Sequence, residues 1–190
     1  MITRSRLFCV RTPHLSLAKS YWKSLIQPGD FVIDATCGNG QDTLFLASLP
    51  VSSLFAIDLQ EVAIEKAKKN LAGHPVEFFC MSHEAIDQLP SSKPPKLIVY
   101  NLGYLPGSDK SIITKKESTL LSVNKSLILL AEGGALSITC YPGHEGGEEE
   151  EKALLAWAQE LPPHEWEVRH HRWLNRPLRA PSLLWIQKLL

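Results

Sequence analysis

The stretch that decides the fold is Val32-Ile-Asp-Ala-Thr-Cys-Gly-Asn-Gly-Gln-Asp-Thr43, in which a short apolar run leads into a turn with two glycines. The run has the length and composition of a buried strand, and an amphipathic helical pattern begins just after the turn. Gly38 and Gly40 permit a tight turn and the close approach of a ligand, because neither carries a Cβ atom. This strand–turn–helix order predicts a ligand-binding loop like those of nucleotide-binding α/β proteins.

An acidic residue closes the next apolar run along the chain. Asp58 ends residues 53–58, about 18 residues beyond Gly40. In Rossmann-like folds, an acid at this place accepts hydrogen bonds from the two hydroxyl groups of a ribose. The short glycine turn alone is weak evidence, but the turn together with this acid predicts a cofactor that contains a nucleoside.

The rest of the chain alternates apolar runs with amphipathic segments. The predicted strands cover residues 31–34, 53–58, 76–80, 96–100, 135–140, 166–173 and 182–188. The predicted helices cover residues 14–26, 41–49, 60–72, 117–131 and 148–160. The first five strands are expected to be buried on both faces, and the last two to form a hairpin. We therefore predict an α/β fold with a seven-stranded, mostly parallel sheet, a terminal antiparallel hairpin and helices on both faces, which is the Rossmann-like pattern of class I methyltransferases.

Composition and charge are those of an ordinary globular protein. Among the 190 residues, 44% are hydrophobic and 21% are charged, with 20 basic and 20 acidic side chains. These values exclude a disordered or collagen-like chain, and no apolar stretch is long enough for a transmembrane helix. The N-terminus is basic but lacks an apolar signal core, so we expect a cytoplasmic protein. We expect residues 1–190 to form a single domain, on which residues 1–27 pack as a basic segment and a helix.

The cysteines give no sign of a metal site. The chain has four, and they are widely spaced without a neighbouring histidine ligand pattern: Cys9, Cys37, Cys80 and Cys140. Neither zinc binding nor disulfides in a reducing compartment are expected from such spacing. We expect small buried side chains and no bound metal.

The charges around the glycine turn distinguish between two cofactors. A nicotinamide dinucleotide usually requires a third glycine, but Thr43 occupies that position. The pyrophosphate would also lie near Asp34 and Asp42, whose carboxylates suit a cationic ligand better. S-adenosylmethionine carries a sulfonium and an ammonium group, so acids near its amino-acid end stabilise it. We therefore predict S-adenosylmethionine as the cofactor, and a methyltransferase rather than a dehydrogenase.

Polar residues after the third, fourth and fifth strands complete the predicted site. Ser82 and His83 follow the third strand and are expected to face adenine, although a helix cap or a surface position is the alternative for His83. Asn101 ends the fourth strand, where such folds place reacting groups, and a structural turn is its alternative. His144 lies in the glycine-containing loop 141–147 and is a candidate for substrate contact or proton transfer, with a surface role as the alternative.

The segment Asn101-Leu-Gly-Tyr-Leu-Pro-Gly107 resembles the Asn-Pro-Pro-Tyr type of motif in methyltransferases that act on amino groups, with Leu102 and Gly103 in place of the prolines. In that motif the Asn side-chain oxygen and a backbone carbonyl accept hydrogen bonds from the substrate nitrogen and aim its lone pair at the methyl group. The resemblance places Tyr104 over the base or the cationic methyl group.

Three motifs together resemble one bacterial family. They are residues 33–47, Ser82-His-Glu84, and Asn101–Gly107 with Asp109-Lys110, and the resemblance extends from His14 to the terminal strand. The family is that of the putative rRNA methylases, whose members are understood as tRNA 5-(aminomethyl)-2-thiouridine methyltransferases. The resemblance implies a class I fold, S-adenosylmethionine, and methylation of the aminomethyl nitrogen on the wobble uridine of tRNA. Gln41 departs from the His of many relatives, and the loop 175–181 is more basic than theirs.

The predicted site residues fall into three groups. The candidate catalytic residues are Asn101 and Tyr104. The candidate cofactor-binding residues are Asp34, Thr36, Gly38, Asn39, Gly40, Gln41, Asp42, Asp58, Gln60, Ser82, His83 and Asn101. The candidate substrate-binding residues are Lys110, Lys115, Tyr141, His144 and Arg176. No strong general base is evident, so water is the expected acceptor of the amine proton.

Basic residues cluster at both ends of the chain. Residues 1–29 and 168–190 contain no acid and hold Arg4, Arg6, Arg11, Lys19 and Lys23 at one end, and Arg169, Arg172, Arg176, Arg179 and Lys188 at the other. With Lys110 and Lys115 they predict a phosphate-binding face for a tRNA anticodon stem-loop, and ordinary solvated charge is the alternative. We expect no membrane partner, and a homodimer stays open beside a monomer.

Other functions stay open from the sequence. The methyl acceptor can be rRNA, a small molecule or a protein side chain instead of tRNA. A different class of function is a non-catalytic scaffold that binds RNA with a methyltransferase fold. The intact glycine turn, Asp58 and Asn101 argue against the scaffold.

Overall fold

The computed structural model describes residues 12–91, 93–103 and 116–190. Its centre is a seven-stranded sheet with the strand order β3-β2-β1-β4-β5-β7-β6. The strands are β1 (Phe31–Asp34), β2 (Ser53–Asp58), β3 (Glu77–Cys80), β4 (Leu97–Asn101), β5 (Ala135–Cys140), β6 (Trp166–His171) and β7 (Ser182–Lys188). Strands β1 to β5 pair in parallel, and β7 pairs antiparallel with both β5 and β6. The predicted sheet and its terminal hairpin are confirmed.

Helices cover both faces of this sheet. They are α1 (Pro13–Leu25), α2 (Gln41–Ala47), α3 (Glu61–Asn70), α4 (Lys116–Leu129) and α5 (Gly147–Gln159), with a short 3₁₀ helix at His83–Gln88. Alternate strand residues face opposite layers: Val32 packs with Trp22 of α1, whereas Ile33 belongs to the cluster that contains Val123 of α4 and Leu154 of α5. Because both faces are covered, the central strands are apolar on both sides.

Strand β3 differs from the prediction of strands buried on both faces. Its end residues Glu77 and Cys80 are exposed, because β3 lies at the edge of the sheet and pairs only with β2. The expected burial is therefore wrong for Cys80, whereas Cys37 and Cys140 are buried as expected. Cys9 lies outside the described residues.

Helix α1 packs directly on the sheet. Trp22 is 1% exposed, and its indole Nε1 donates to Oγ of Ser137 on β5 at 2.8 Å. Of the predicted basic segment, residues 1–11 lie outside the described part of the chain. Within the described ranges, no helix is long and apolar enough to cross a membrane, and no group of three or more His, Cys, Asp or Glu side chains is placed to hold a metal ion.

The carboxyl ends of the parallel strands meet at one edge of the sheet. Asp34 is level with Val99 on β4, and Asn101 is level with Thr139 on β5. From β1 the chain first builds outward through β2 and β3, and then returns to the other side through β4 and β5. Ligands of such folds bind where the direction reverses, so the candidate site lies at the ends of β1 and β4.

Candidate active site

The glycine turn follows β1 and is fixed by backbone hydrogen bonds to both neighbouring strands. The amide of Ala35 donates to the carbonyl of Val99 on β4, and the amide of Cys37 donates to that of Ile57 on β2, each at 2.8 Å. Gly38 has a φ of 52°, which lies in the left-handed region that favours glycine. The turn is thus held over the sheet edge between β2 and β4.

Gly40 has a structural reason that the sequence did not indicate. Its φ is +81°, and a Cβ atom there would lie 2.6 Å from Cδ1 of Leu71 and 3.2 Å from Cα of Ala67. Glycine at this position therefore lets α2 begin close against the end of α3. The positive φ agrees with the tight turn expected at Gly40, the packing against α3 is an additional reason for glycine, and the approach of a ligand stays a prediction.

Asp58 sits at the end of β2 and binds the glycine turn. Its Oδ2 accepts from the amide of Gly38 and its Oδ1 accepts from the amide of Gln60, both at 2.9 Å. Burial raises the pKa of Asp58, and the backbone donors at Gln60 and Gly38 oppose that rise. Each carboxylate oxygen has two lone pairs, so each keeps acceptor capacity beyond its backbone bond.

Asp34 is buried under the turn, at 1% exposure. The hydroxyl of Thr43 donates to its Oδ2 at 2.6 Å, and the amide of Thr36 donates to its Oδ1 at 3.3 Å. Burial raises the pKa of Asp34 to about 7. Thr43 therefore ties α2 to β1 at the position where a dinucleotide fold has its third glycine, and Asp34 acts on the shape of the turn.

Asn101 lies at the centre of a short polar chain. Its backbone amide donates to Oγ1 of Thr36 at 2.7 Å, and its side-chain Nδ2 donates to Oδ2 of Asp42 at 2.8 Å. The other oxygen of Asp42, Oδ1, lies 3.1 Å from Nζ of Lys19 on α1. Asp42 is only 8% exposed, so these contacts fix the plane of the Asn101 amide.

A second group of side chains adjoins Asn101 on the side of β5. Tyr141 directly follows β5, and its hydroxyl lies 3.4 Å from Nε2 of His14. Burial, followed by the negative charge of Asp42, raises the pKa of Tyr141, and a hydrogen bond from Asn101 opposes the rise. Burial and the nearby charge of Arg176 lower the pKa of His14. Asn101, Tyr141, His14 and Arg176 therefore belong to one neighbourhood.

Ser82 and His83 begin the 3₁₀ helix after β3. Oγ of Ser82 accepts from the amide of Glu84 at 3.3 Å, as a cap. The His83 ring packs edge-on against Tyr100, with centroids 5.9 Å apart, and burial lowers its pKa. The imidazole is therefore neutral at pH 7, and its Nδ1 is buried without a hydrogen-bond partner among the described residues. The contact with adenine stays a prediction.

The loops after β4 and β5 pack on each other. A Cβ atom at Gly103, whose φ is +121°, would lie 3.2 Å from Nε2 of His144. The Nδ1 atom of His144 lies 2.8 Å from the carbonyl oxygen of Glu145. His144 thus stands beside the turn that follows Asn101, and its predicted contact with substrate stays a prediction.

The remaining predicted residues have less informative positions. The carbonyl of Asn39 accepts from Nδ2 of Asn70 at 2.9 Å, and Gln41 is the exposed first residue of α2. Gln60 occupies the N-cap position of α3 without a capping hydrogen bond from its side chain. Tyr104, Lys110 and Lys115 lie outside the described residues, together with Arg4, Arg6, Arg11 and Asp109.

Sequence reasoning missed two residues of this neighbourhood as site residues. From the sequence, Lys19 is indicated only as part of a basic segment, and His14 only as the start of a helix. Both lie on α1, far from Asn101 in sequence, and only the packing of α1 on the sheet brings them to Asp42 and Tyr141. No local motif marks either of them.

Known proteins that are similar to this chain identify its family. The family model described as "Putative rRNA methylase" matches residues 54–187. The chain belongs to this family. A curated relative, the chloroplastic tRNA (mnm(5)s(2)U34)-methyltransferase of Arabidopsis thaliana, is 36% identical over 187 residues, which cover 90% of this chain and 68% of the relative. The predicted family and enzyme class are thereby confirmed.

Solved structures of the family agree over nearly the whole chain. A putative rRNA methylase from Clostridium thermocellum is 33% identical, with a TM-score of 0.88 over 93% of this chain and 97% of the other. A putative methyltransferase from Streptococcus mutans, solved in complex with S-adenosylhomocysteine (SAH), is 31% identical, with a TM-score of 0.85 over 100% of both chains. The family methyltransferase fold predicted from the sequence is confirmed.

Proposed function

We propose that this protein transfers a methyl group from S-adenosylmethionine to the amino nitrogen of a 5-aminomethyl group on the wobble uridine of tRNA. The observation that carries the proposal is the fixed side chain of Asn101 at the end of β4. Its Nδ2 is held by Asp42 at 2.8 Å, so its Oδ1 is the atom that accepts a hydrogen bond from a substrate amine. The 36% identical relative, whose name specifies that class of tRNA nucleoside, supports the same substrate.

The donor and acceptor groups around the turn fit the cofactor. Asp58 offers carboxylate oxygens for ribose hydroxyls beside the glycine turn. Asp42 supplies a nearly buried carboxylate for the cationic part of the molecule, and Lys19 balances its charge. The SAH in the Streptococcus mutans structure, the product of S-adenosylmethionine after methyl transfer, supports this cofactor. When bound, S-adenosylmethionine supplies an electrophilic methyl group.

The residues of the chain then act on the amine. Asn101 accepts a hydrogen bond from the amine and thereby aims the nitrogen lone pair at the methyl group. Such alignment contributes much of the rate enhancement, because correctly oriented reacting groups face a lower barrier. An amide also stabilises the unreactive ammonium less than a carboxylate does. Asp42 of α2 and Tyr141 after β5 both hydrogen-bond the partly buried Asn101, and polar contacts are stronger where solvent has less access.

The arginines of the β6–β7 loop fit an RNA partner. Three arginines are exposed on this loop: Arg172, Arg176 and Arg179. Beside burial, the charge of Arg176 helps to lower the pKa of His14, so Arg176 lies near the site. An anticodon stem-loop presents phosphates close to unpaired bases, so arginines beside the pocket can bind the backbone while the base enters. The predicted contributions of residues 1–11 and of Lys110 and Lys115 concern residues that lie outside the described ranges. The homodimer and the cytoplasmic location also stay predictions.

The test compares tRNA nucleosides by mass spectrometry from cells with and without the gene. We expect the 5-methylaminomethyl nucleoside to be replaced by its 5-aminomethyl precursor when the gene is absent. In vitro, the purified protein should methylate tRNA that carries the aminomethyl group, but not tRNA without it and not rRNA. Transfer to rRNA would favour the function in the family's description, and cofactor binding without transfer to any RNA would favour a scaffold.

A further inference from the structure

The proposed reaction needs an acceptor for one proton. A primary alkylamine is mostly protonated at pH 7, and its nitrogen has no lone pair for attack until a proton leaves. The inference below rests on the proposed function, and it concerns where that proton goes. No strong base is evident from the sequence, which makes water the expected acceptor. The structure instead places the imidazole of His14 3.4 Å from the hydroxyl of Tyr141, and Tyr141 is hydrogen-bonded to Asn101.

His14 is placed as a buried base rather than a surface residue. It lies in the first turn of α1 at 5% exposure. Its Nε2 faces the hydroxyl of Tyr141 at 3.4 Å, and the two rings meet edge-on with centroids 5.5 Å apart. Trp173 packs on it as well, with centroids 6.4 Å apart. Hydrogen bonds that serve catalysis are commonly this long before substrate binds.

Charged groups on three elements act on His14. Arg176 of the β6–β7 loop disfavours the imidazolium, Asp42 of α2 favours it, and burial disfavours it most, so its pKa is lowered. Lys19, five residues further along α1, pairs with Asp42 and offsets part of that carboxylate's charge. The imidazole is therefore neutral at pH 7 and is able to accept a proton.

We propose that His14 is the terminal acceptor of the amine proton, which reaches it through the hydroxyl of Tyr141. The ammonium nitrogen gives a proton to Oη of Tyr141, and Oη releases its own proton to Nε2 of His14. The N–H bond of the ammonium breaks, and a new N–H bond forms on the imidazole. The neutral amine, held by Asn101, then attacks the methyl carbon and becomes a secondary ammonium as the carbon–sulfur bond breaks.

The first test is the pH dependence of single-turnover methylation for His14→Gln, with saturating aminomethyl tRNA. We expect a rate about 10²-fold below the wild type at pH 7, the lower end of the usual contribution of a general base. The deficit should shrink to less than about threefold near pH 10, where the amine loses its proton to solvent without help. The control is His164→Gln, which changes an exposed histidine before β6 and should match the wild type throughout.

Tyr141→Phe keeps the aromatic ring and removes only the hydroxyl, so it tests the proposal even if His14→Gln does not fold. It should show the same pH-dependent deficit, and the double variant should be no slower than either single variant, because both interrupt one path. A deficit that is equal at every pH would show that these side chains only pack, and would overturn the proposal. If the wild type itself does not methylate the tRNA, the proposed function fails instead.

A second readout needs no substrate. The imidazole nitrogen shifts of His14, followed by NMR in the cofactor-free protein, report its titration. We expect its midpoint to lie below the ordinary range of histidine and to rise in Tyr141→Phe, because the lost hydroxyl stabilised the neutral ring. An unchanged midpoint in Tyr141→Phe would show that the hydroxyl does not bind the imidazole, and would overturn the relay.

Discussion

Replacing Asn101 by alanine removes the contact on which the proposed amine chemistry depends. The side-chain Nδ2 donates to Oδ2 of Asp42 across 2.8 Å, and that contact fixes the amide. A hydrogen bond to a charged group contributes about 1.5–3 kcal/mol, which corresponds to about 10- to 160-fold in rate if the alignment is needed in the transition state. We expect Asn101→Ala to slow methyl transfer by about 10²-fold and to change cofactor affinity by less than about threefold.

Asn101→Asp distinguishes an acceptor from a merely polar residue. It places a second carboxyl group within hydrogen-bond reach of Asp42, where two carboxylates resist ionising together. An ionised Asp at this position would also stabilise the substrate ammonium and hold it back from attack. We therefore expect Asn101→Asp to be slow as well, although the size of the side chain is preserved.

The assay is single-turnover methylation at saturating tRNA, with cofactor affinity measured by calorimetry. Asn124→Ala is the matched control, because Asn124 is exposed on α4 and its side chain hydrogen-bonds the carbonyl of Leu120 and the indole of Trp157, neither of which belongs to the site. The control should turn over like the wild type. If Asn101→Ala keeps the wild-type rate, or loses only cofactor binding, the turn after β4 is structural and the reasoning about the amine is wrong.

Three further changes test other parts of the site. Asp58→Ala removes the carboxylate beside the glycine turn and should weaken S-adenosylmethionine binding by about 1.5–3 kcal/mol; an unchanged dissociation constant in the folded variant would remove Asp58 from the site. Changing both Arg172 and Arg176 to Gln should reduce the salt dependence of tRNA binding by about two units of log–log slope, and an equally steep slope would show that they do not contact phosphate. Gly40→Ala places a Cβ atom 2.6 Å from Leu71 at a φ of +81°, so thermal unfolding should show a loss of about 1–3 kcal/mol; wild-type stability would mean that α3 moves aside at no cost.

The order of elements could be predicted from the sequence because strands and helices differ in the local spacing of their apolar residues. The run 53–58 and the apolar residues of α3 carry the periods of a strand and a helix, and the structure has both elements there. Boundaries were less accurate: β3 begins at Glu77 rather than at residue 76, and α3 covers Glu61–Asn70 rather than residues 60–72. The burial of an edge strand was wrong at Cys80, because local composition does not say which strand has only one neighbour.

By itself, the sequence determined the α/β order, the glycine turn, the acid at the end of β2 and the polar residue at the end of β4, since strand ends and turns have local signals. The tertiary structure alone decided that Gly40 is required by α3, that Thr43 binds the buried Asp34, and that α1 brings Lys19 to Asp42 and His14 to Tyr141. The last two contacts join residues that are distant in the chain. Their geometry depends on how α1 packs across a whole face of the sheet. The pattern of apolar residues within α1 or within the strands does not indicate that packing.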